Sequence, residues 1–243
     1  MRSFDLMLAG ARWERARDCG VALLLVLLCK QSMSRMDPGQ LQWLLWPVAQ
    51  LLNTLGGFDF TPLASGEWLD DVHGLVIVKA CAGANFLIAS WLGYLWRWRA
   101  QPFGLVLIGR AAAAAWLTTI VANALRILCI AHGQDSLSGL TGLDSSESHR
   151  LIGVSVYFTC LAIQMGGLAA LPAAAAVYVA VTIAMPVAHA WVSGAEVPAL
   201  PHLAWTAVVP LTALAVQAAT LRHKRASSHG NEPGRPVDGG SSE

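Results

Sequence analysis

Apolar runs of bilayer length are the feature that most restricts what this chain folds into. A spanning helix needs about 20 consecutive apolar residues. On that criterion spans are expected near 16–35, 74–96, 103–128, 150–168, 172–192 and 203–221. Gly166, Gly167 and Pro172 divide the long apolar stretch that precedes the last span. The stretch QLQWLLWPVAQLLNTLGG, 40–57, is shorter and amphipathic, with Trp43, Trp46 and a central Pro47. Aromatic residues favour the headgroup zone, so this segment is expected to lie on or dip into the interface. Composition agrees: 13% of the chain is charged and 55% hydrophobic, against about 25% charged in soluble domains. Unsatisfied backbone groups are costly in lipid, which selects helices. The expected fold is therefore all-α, a polytopic membrane bundle of about six transmembrane helices plus one interfacial or re-entrant segment.

Charge sets the expected orientation. The N-terminus (Arg2, Arg12, Arg15, Arg17), Arg97 and Arg99, and the RHKR of 222–225 fall on one side. The acidic residues Asp37 to Asp71, Asp135 to Glu147 and Glu196 fall on the other, with Lys30 and Arg35 mildly against the pattern. By the positive-inside rule both ends are cytoplasmic. The run VALLLVLLCK lacks a small-residue cleavage site and is expected to be an uncleaved first span. The implied organisation is a basic cytoplasmic N-terminus, 1–15, a membrane-embedded domain, 16–221, and a Gly-, Ser- and Pro-rich disordered tail, 222–243. A net charge of +1 gives no reason to expect a nucleic-acid partner.

Against that background the nonapeptide VKACAGANF, 78–86, is anomalous. Polar and reactive groups inside an apolar segment are expensive and mark a candidate site. The five cysteines (Cys19, Cys29, Cys81, Cys129, Cys160) form no CxxC pair, so zinc, thioredoxin and disulfide-framework readings fail. Most read as small buried hydrophobes; one is a candidate nucleophile. If the helix holding Cys81 enters from outside, the thiol lies about 10 Å below the surface. The next span ends in VANALRILCI, which brings Arg126 to the same leaflet, and the chain re-enters at SHRLIG with His149. A cysteine, an arginine and a histidine from three helices thus belong at one depth on one side. A thiolate nucleophile, a histidine base and a guanidinium for an oxyanion or a substrate carbonyl make a coherent acyl-transfer set.

Small neighbours Ala82, Gly83 and Gly153 permit close approach. Asn123 precedes Arg126 by three residues and Asn85 follows Cys81 by four, so each is expected to orient its partner. Each residue also has a plainer reading: Cys81 as packing, His149 as a helix-end surface residue, Arg126, Lys79 and Arg110 as snorkelling cations. Cys129 shares a face with Arg126 and is the rival nucleophile; His132, His73, His189 and His202 are rival bases.

The motifs CAG (81–83), NALR (123–126) and HRLIG (149–153), in that order, resemble the exosortase/archaeosortase family of polytopic membrane cysteine transpeptidases. The likeness covers about residues 70–160, and KACAGANFL resembles the exosortase K subgroup. The resemblance implies an enzyme of the bacterial inner membrane acting on the extracytoplasmic side. It would cleave C-terminal sorting signals of exported proteins: a short motif such as Pro-Glu-Pro, a transmembrane helix and a basic tail. It implies Cys81 as nucleophile, His149 as general base and acid, Arg126 as oxyanion or substrate stabiliser, and transfer through an acyl-enzyme to an acceptor amine, often linked to exopolysaccharide. No metal or organic cofactor is implied. The competing classes are a non-enzymatic transporter or assembly factor, using Arg126 and Lys79 to bind an anion, and a purely hydrolytic membrane cysteine protease. A transporter usually shows internal repeats with paired broken helices, and none is evident.

Overall fold

A computed structural model describes residues 2–194, 196 and 200–229. The chain is all-α apart from one small sheet. Helix α1 (Arg2–Arg35) leads through a turn to α2 (Gln42–Gly56). Strands β1 (Thr61–Pro62), β2 (Trp68–Asp70) and β3 (Leu75–Ile77) follow as an antiparallel sheet of order β1-β2-β3, in which Trp68 faces Ile77 and Asp70 faces Leu75. A 3-10 turn at Lys79–Ala82 precedes α3 (Ala84–Arg97), α4 (Leu105–Thr141) and α5 (Ser145–Met165). Helix α6 (Leu171–Val179), a π-type turn and α7 (Met185–Ser193) form one nearly continuous apolar run, and α8 (Leu200–His229) closes the described chain. Residues 230–243 of the expected disordered tail lie outside the described residues, and 222–229 continue α8.

Among the described residues three helical stretches are long and apolar enough to cross a membrane: Leu105–Thr141, Gly167–Ser193 and Leu203–His223. They mark the chain as a membrane protein, and broad exposed apolar surface such as Trp191 and Val192 on α7 is consistent with lipid contact. The expected six spans are not met. Helix α3 has 14 residues, about 21 Å, against a hydrocarbon core of about 30 Å. Helix α5 opens on the polar SSESHR, and α1 brackets its apolar stretch with Arg17, Asp18, Lys30 and Arg35.

The expected single helix over 74–96 is replaced by strand, turn and short helix. Val76, Ile77 and Val78 form a β-branched run that favours extended backbone. Gly74 and Gly83 then adopt left-handed φ of 64° and 68°, which L side chains rarely tolerate. Gly83 ends the 3-10 turn and starts α3, its carbonyl accepting from Leu87 N at 2.8 Å. Residues 132–148, which lie between two of the expected spans, are also mostly helix. Helix α4 runs to Thr141 and ends at left-handed Gly142, whose N–H reaches Ser138 O at 2.9 Å. Two residues after Gly142 α5 is already capped, Asp144 Oδ1 accepting from Glu147 N at 2.7 Å. Ser138 Oγ donates to the buried Ser148 Oγ at 2.8 Å and fixes the α4–α5 corner.

Helix α4 packs on α2, α3 and α5. One apolar core joins α2 to the sheet through Leu44, Leu45, Leu52, Phe60 and Ile77; the other joins α3, α5 and α6 through Phe86, Ile88, Leu161 and Ala174. Trp68 Nε1 donates to Gln42 Oε1 at 2.9 Å and ties the sheet to α2. The segment expected at the interface is thus helix α2, its Leu44 and Leu45 buried and Trp43 and Trp46 exposed.

Asp70 holds the sheet region together. Fully buried, it accepts from the amides of Asp59, Val72 and His73 and from the His73 ring at 2.9–3.1 Å. Burial raises its pKa, but the hydrogen bonds from the His73 ring and from the amides outweigh burial and hold it below the ordinary carboxylate value. A depressed folded pKa contributes stability above the unfolded value of about 3.9, and that stability is lost as pH falls through the lower folded value. Asp70→Asn should speed exchange of the Asp59, Val72 and His73 amides about tenfold or more near neutral pH, from a loss of about 1–3 kcal/mol. Hydrogen-exchange mass spectrometry of the 59–73 peptide reads this directly.

Candidate active site

The CAG, NALR and HRLIG segments meet where the 3-10 turn, α4 and α5 converge. Cys81 sits half-buried in the turn, with its amide donating to Val78 O at 2.8 Å. Gly83 lies directly on Asn123: a Cβ there would stand 2.8 Å from Asn123 Nδ2. Only glycine fits both that contact and the left-handed backbone. Asn123 is fully buried and its Oδ1 accepts a hydrogen bond from Tyr157 OH. The same Tyr157 oxygen faces Arg126 Nη1 at 3.4 Å, while Arg126 Nη2 lies 3.0 Å from His149 Nε2. Gly153 makes room for the guanidinium, since a Cβ at 153 would approach Arg126 Nε to 2.9 Å. Phe86 stacks on Tyr157 with centroids 4.7 Å apart, and Arg126 Cζ stands 5.4 Å above the Tyr157 ring.

His149 has its pKa lowered, first by burial and then by the positive charge of Arg126. It is therefore neutral near pH 7. With Nε2 accepting from Arg126 Nη2, its proton sits on Nδ1. The Cys81 thiol lies within electrostatic reach of Arg126 and Tyr157. No hydrogen bond joins it to His149 among the described residues. Two buried side-chain nitrogens have no hydrogen-bond partner among the described residues, Asn123 Nδ2 and Arg126 Nε.

Other expected partners are placed differently. Asn85 does not orient Cys81: the turn at Gly83 breaks the helix that would have put them four apart on one face, and Asn85 Oδ1 accepts instead from Lys30 Nζ. Lys79 Nζ donates to Ser34 O at the end of α1, 3.0 Å away. Arg110 stacks over Trp98 at 5.4 Å and reaches Gln101. The rivals Cys129 and His132 line a separate open depression with Leu137 and Ile152. His73 is held by Asp70, His189 pairs with Ser193 at 3.1 Å, and the side chain of His202 lies outside the described residues. Among the described residues no three His, Cys, Asp or Glu side chains converge as a metal would require. Tyr157 is the site residue that sequence reasoning missed, although it follows His149 and Gly153 at helical spacings of eight and four.

Comparison with protein-family models, with curated proteins and with solved structures returns no match to this chain.

The Arg126–His149 contact has a readable consequence. Arg126→Gln should raise the His149 titration midpoint part of the way toward about 6.5, because burial still opposes the charged ring. Gly153→Ala should shift it in the same direction by displacing the guanidinium. NMR of histidine-labelled protein checks both; an unchanged midpoint would mean that the guanidinium does not lie against the ring.

Proposed function

We propose that this chain is an exosortase-like cysteine peptidase or transpeptidase of the bacterial inner membrane, with a site facing the extracytoplasmic side. Its substrates would be exported proteins ending in a short motif, a transmembrane helix and a basic tail. The observation that carries the reading is the 3.0 Å contact between Arg126 Nη2 and His149 Nε2, beside the glycine turn that holds Cys81.

The resting geometry suggests how the reaction begins. Arg126 occupies the lone pair that His149 needs as a base. A scissile carbonyl entering beside Cys81 competes for the same guanidinium, and its oxygen draws Nη2 away. His149 Nε2 is then free to take the Cys81 proton while Sγ bonds to the carbonyl carbon. The oxyanion is stabilised by Arg126, which Tyr157 and Asn123 hold in place. Collapse breaks the C–N bond, and His149 returns the proton to the leaving amine. The thioester is resolved by an amine or by water, whose proton passes through His149 to Cys81 Sγ as the C–S bond breaks. Hydrolysis and transfer share every step up to the thioester, so the two differ only in the final nucleophile.

A tagged protein with a Pro-Glu-Pro motif, an apolar helix and a basic tail, co-expressed with this chain, tests the reading by its cleavage. Cys81→Ala should abolish cleavage with membrane insertion intact. Arg126→Lys should cost about 10²–10³-fold, the usual loss for one oxyanion donor. If Cys129→Ala abolishes cleavage and Cys81→Ala does not, the nucleophile is the other thiol.

A further inference from the structure

A cavity of about 390 Å³ opens beside the Cys81 turn, between α1, α3, α5 and the α6–α8 side of the bundle. Its volume falls within the range of small-molecule sites. Four cations line it: Lys30, Lys79, Arg126 and Arg150. No Asp or Glu lines it among the described residues. The chain has three lysines, and two of them point here.

Among the described residues no carboxylate compensates this charge. Lys30 meets the neutral Asn85 amide and Lys79 a backbone carbonyl; Arg126 meets Tyr157 and a neutral His149. The ion pairs Arg17–Asp18 and His73–Asp70 both lie away from this cavity. Each ammonium keeps donors to spare, and Arg126 Nε is buried without a partner. Like charges gathered in a half-enclosed, apolar-walled space raise the local potential and draw in an anion. Met33, Leu41, Phe86 and Val154 form the apolar part of the wall.

We propose that this cavity is a binding site for a phosphate-type group carrying more than one negative charge. A single carboxylate would leave most of the four cations unmatched, whereas a phosphate monoester or diphosphate offers several acceptor oxygens and the matching charge. The apolar wall favours a lipid-borne phosphate over a free one. The inference stands on the cavity itself and goes beyond the thiol chemistry proposed above.

Lysine footprinting tests it on the full chain in phosphatidylcholine nanodiscs. An amine-reactive acetylating reagent is applied with inorganic pyrophosphate, or in discs doped with phosphatidic acid, and peptides are read by mass spectrometry. A probe at about ten times its Kd should slow modification of Lys30 and Lys79 about tenfold, with Lys224 as the internal reference. Protection by phosphatidic acid alone assigns a lipid headgroup; protection by pyrophosphate as well shows that free phosphate suffices. Arg150→Gln should weaken either effect about tenfold, the loss of one charge-assisted bond, and where that variant fails to fold the wild-type footprint decides. No protection by either probe, equal protection of Lys224, or equal protection by a glutamate-rich peptide would overturn the proposal. The footprint should be the same in Cys81→Ala protein, so it can fail or succeed independently of the proposed reaction.

Discussion

Arg126 lies on a helix of membrane length, and a guanidinium in that setting needs acceptors. No carboxylate pairs with it among the described residues. Tyr157 and His149, both on α5, take its two terminal nitrogens, and the Tyr157 hydroxyl also donates to the fully buried Asn123. One polar network thus clamps α4 to α5. Its reach extends further, because Asn123 is the surface on which Gly83 rests, and Gly83 shapes the turn that presents Cys81. Loss of the guanidinium would disturb the thiol's setting and the histidine's charge together. Small residues are required wherever the network is tightest, at Gly83 and Gly153, and that requirement explains the glycines in two of the three sequence motifs.

Much of this was legible from residue types alone. Apolar composition and span-length runs imply a helical membrane protein, and three polar exceptions within those runs point to one site. Arg126 and His149 do meet, and Gly83 and Gly153 do admit close contacts, as their small size suggests. What failed was the assumption that apolar stretches of span length are single helices. The β-branched run before Cys81 and the left-handed Gly74 and Gly83 divide one such stretch into strand, turn and a helix too short to span. The same break removed the i, i+4 relation between Cys81 and Asn85. Conversely, residues 132–141 continued α4 despite Gly133 and Gly139, because the stretch holds no proline and the backbone turns left-handed only at Gly142. Tyr157 carries no signal in the sequence beyond its helical spacing from His149 and Gly153, and only the third dimension places its hydroxyl between Asn123 and Arg126.

The site and the cationic cavity share a wall. Gly83, Arg126, Gly153 and Tyr157 belong to both. A ligand anion in the cavity would therefore sit against the guanidinium that also faces His149. Binding there and chemistry at Cys81 would be linked through a single side chain, and Lys30, Lys79 and Arg150 give the cavity its own charge whatever Arg126 is doing. By contrast, Cys129 and His132 share a depression that is open and has no cation among its lining residues. Two cysteines thus stand in different settings within one molecule, each serving as a control for the other.

That contrast supplies the most direct measurement. The central claim is that Cys81 is the reactive thiol because of Arg126 and His149. Alkylation of the native protein by a small neutral maleimide, followed peptide by peptide, reports Cys81 and Cys129 in the same sample. The account predicts that Cys81 reacts faster than Cys129, and that Arg126→Gln and His149→Gln each slow Cys81 while leaving Cys129 unchanged. Equal rates at the two thiols, or a Cys81 rate indifferent to both substitutions, would contradict it.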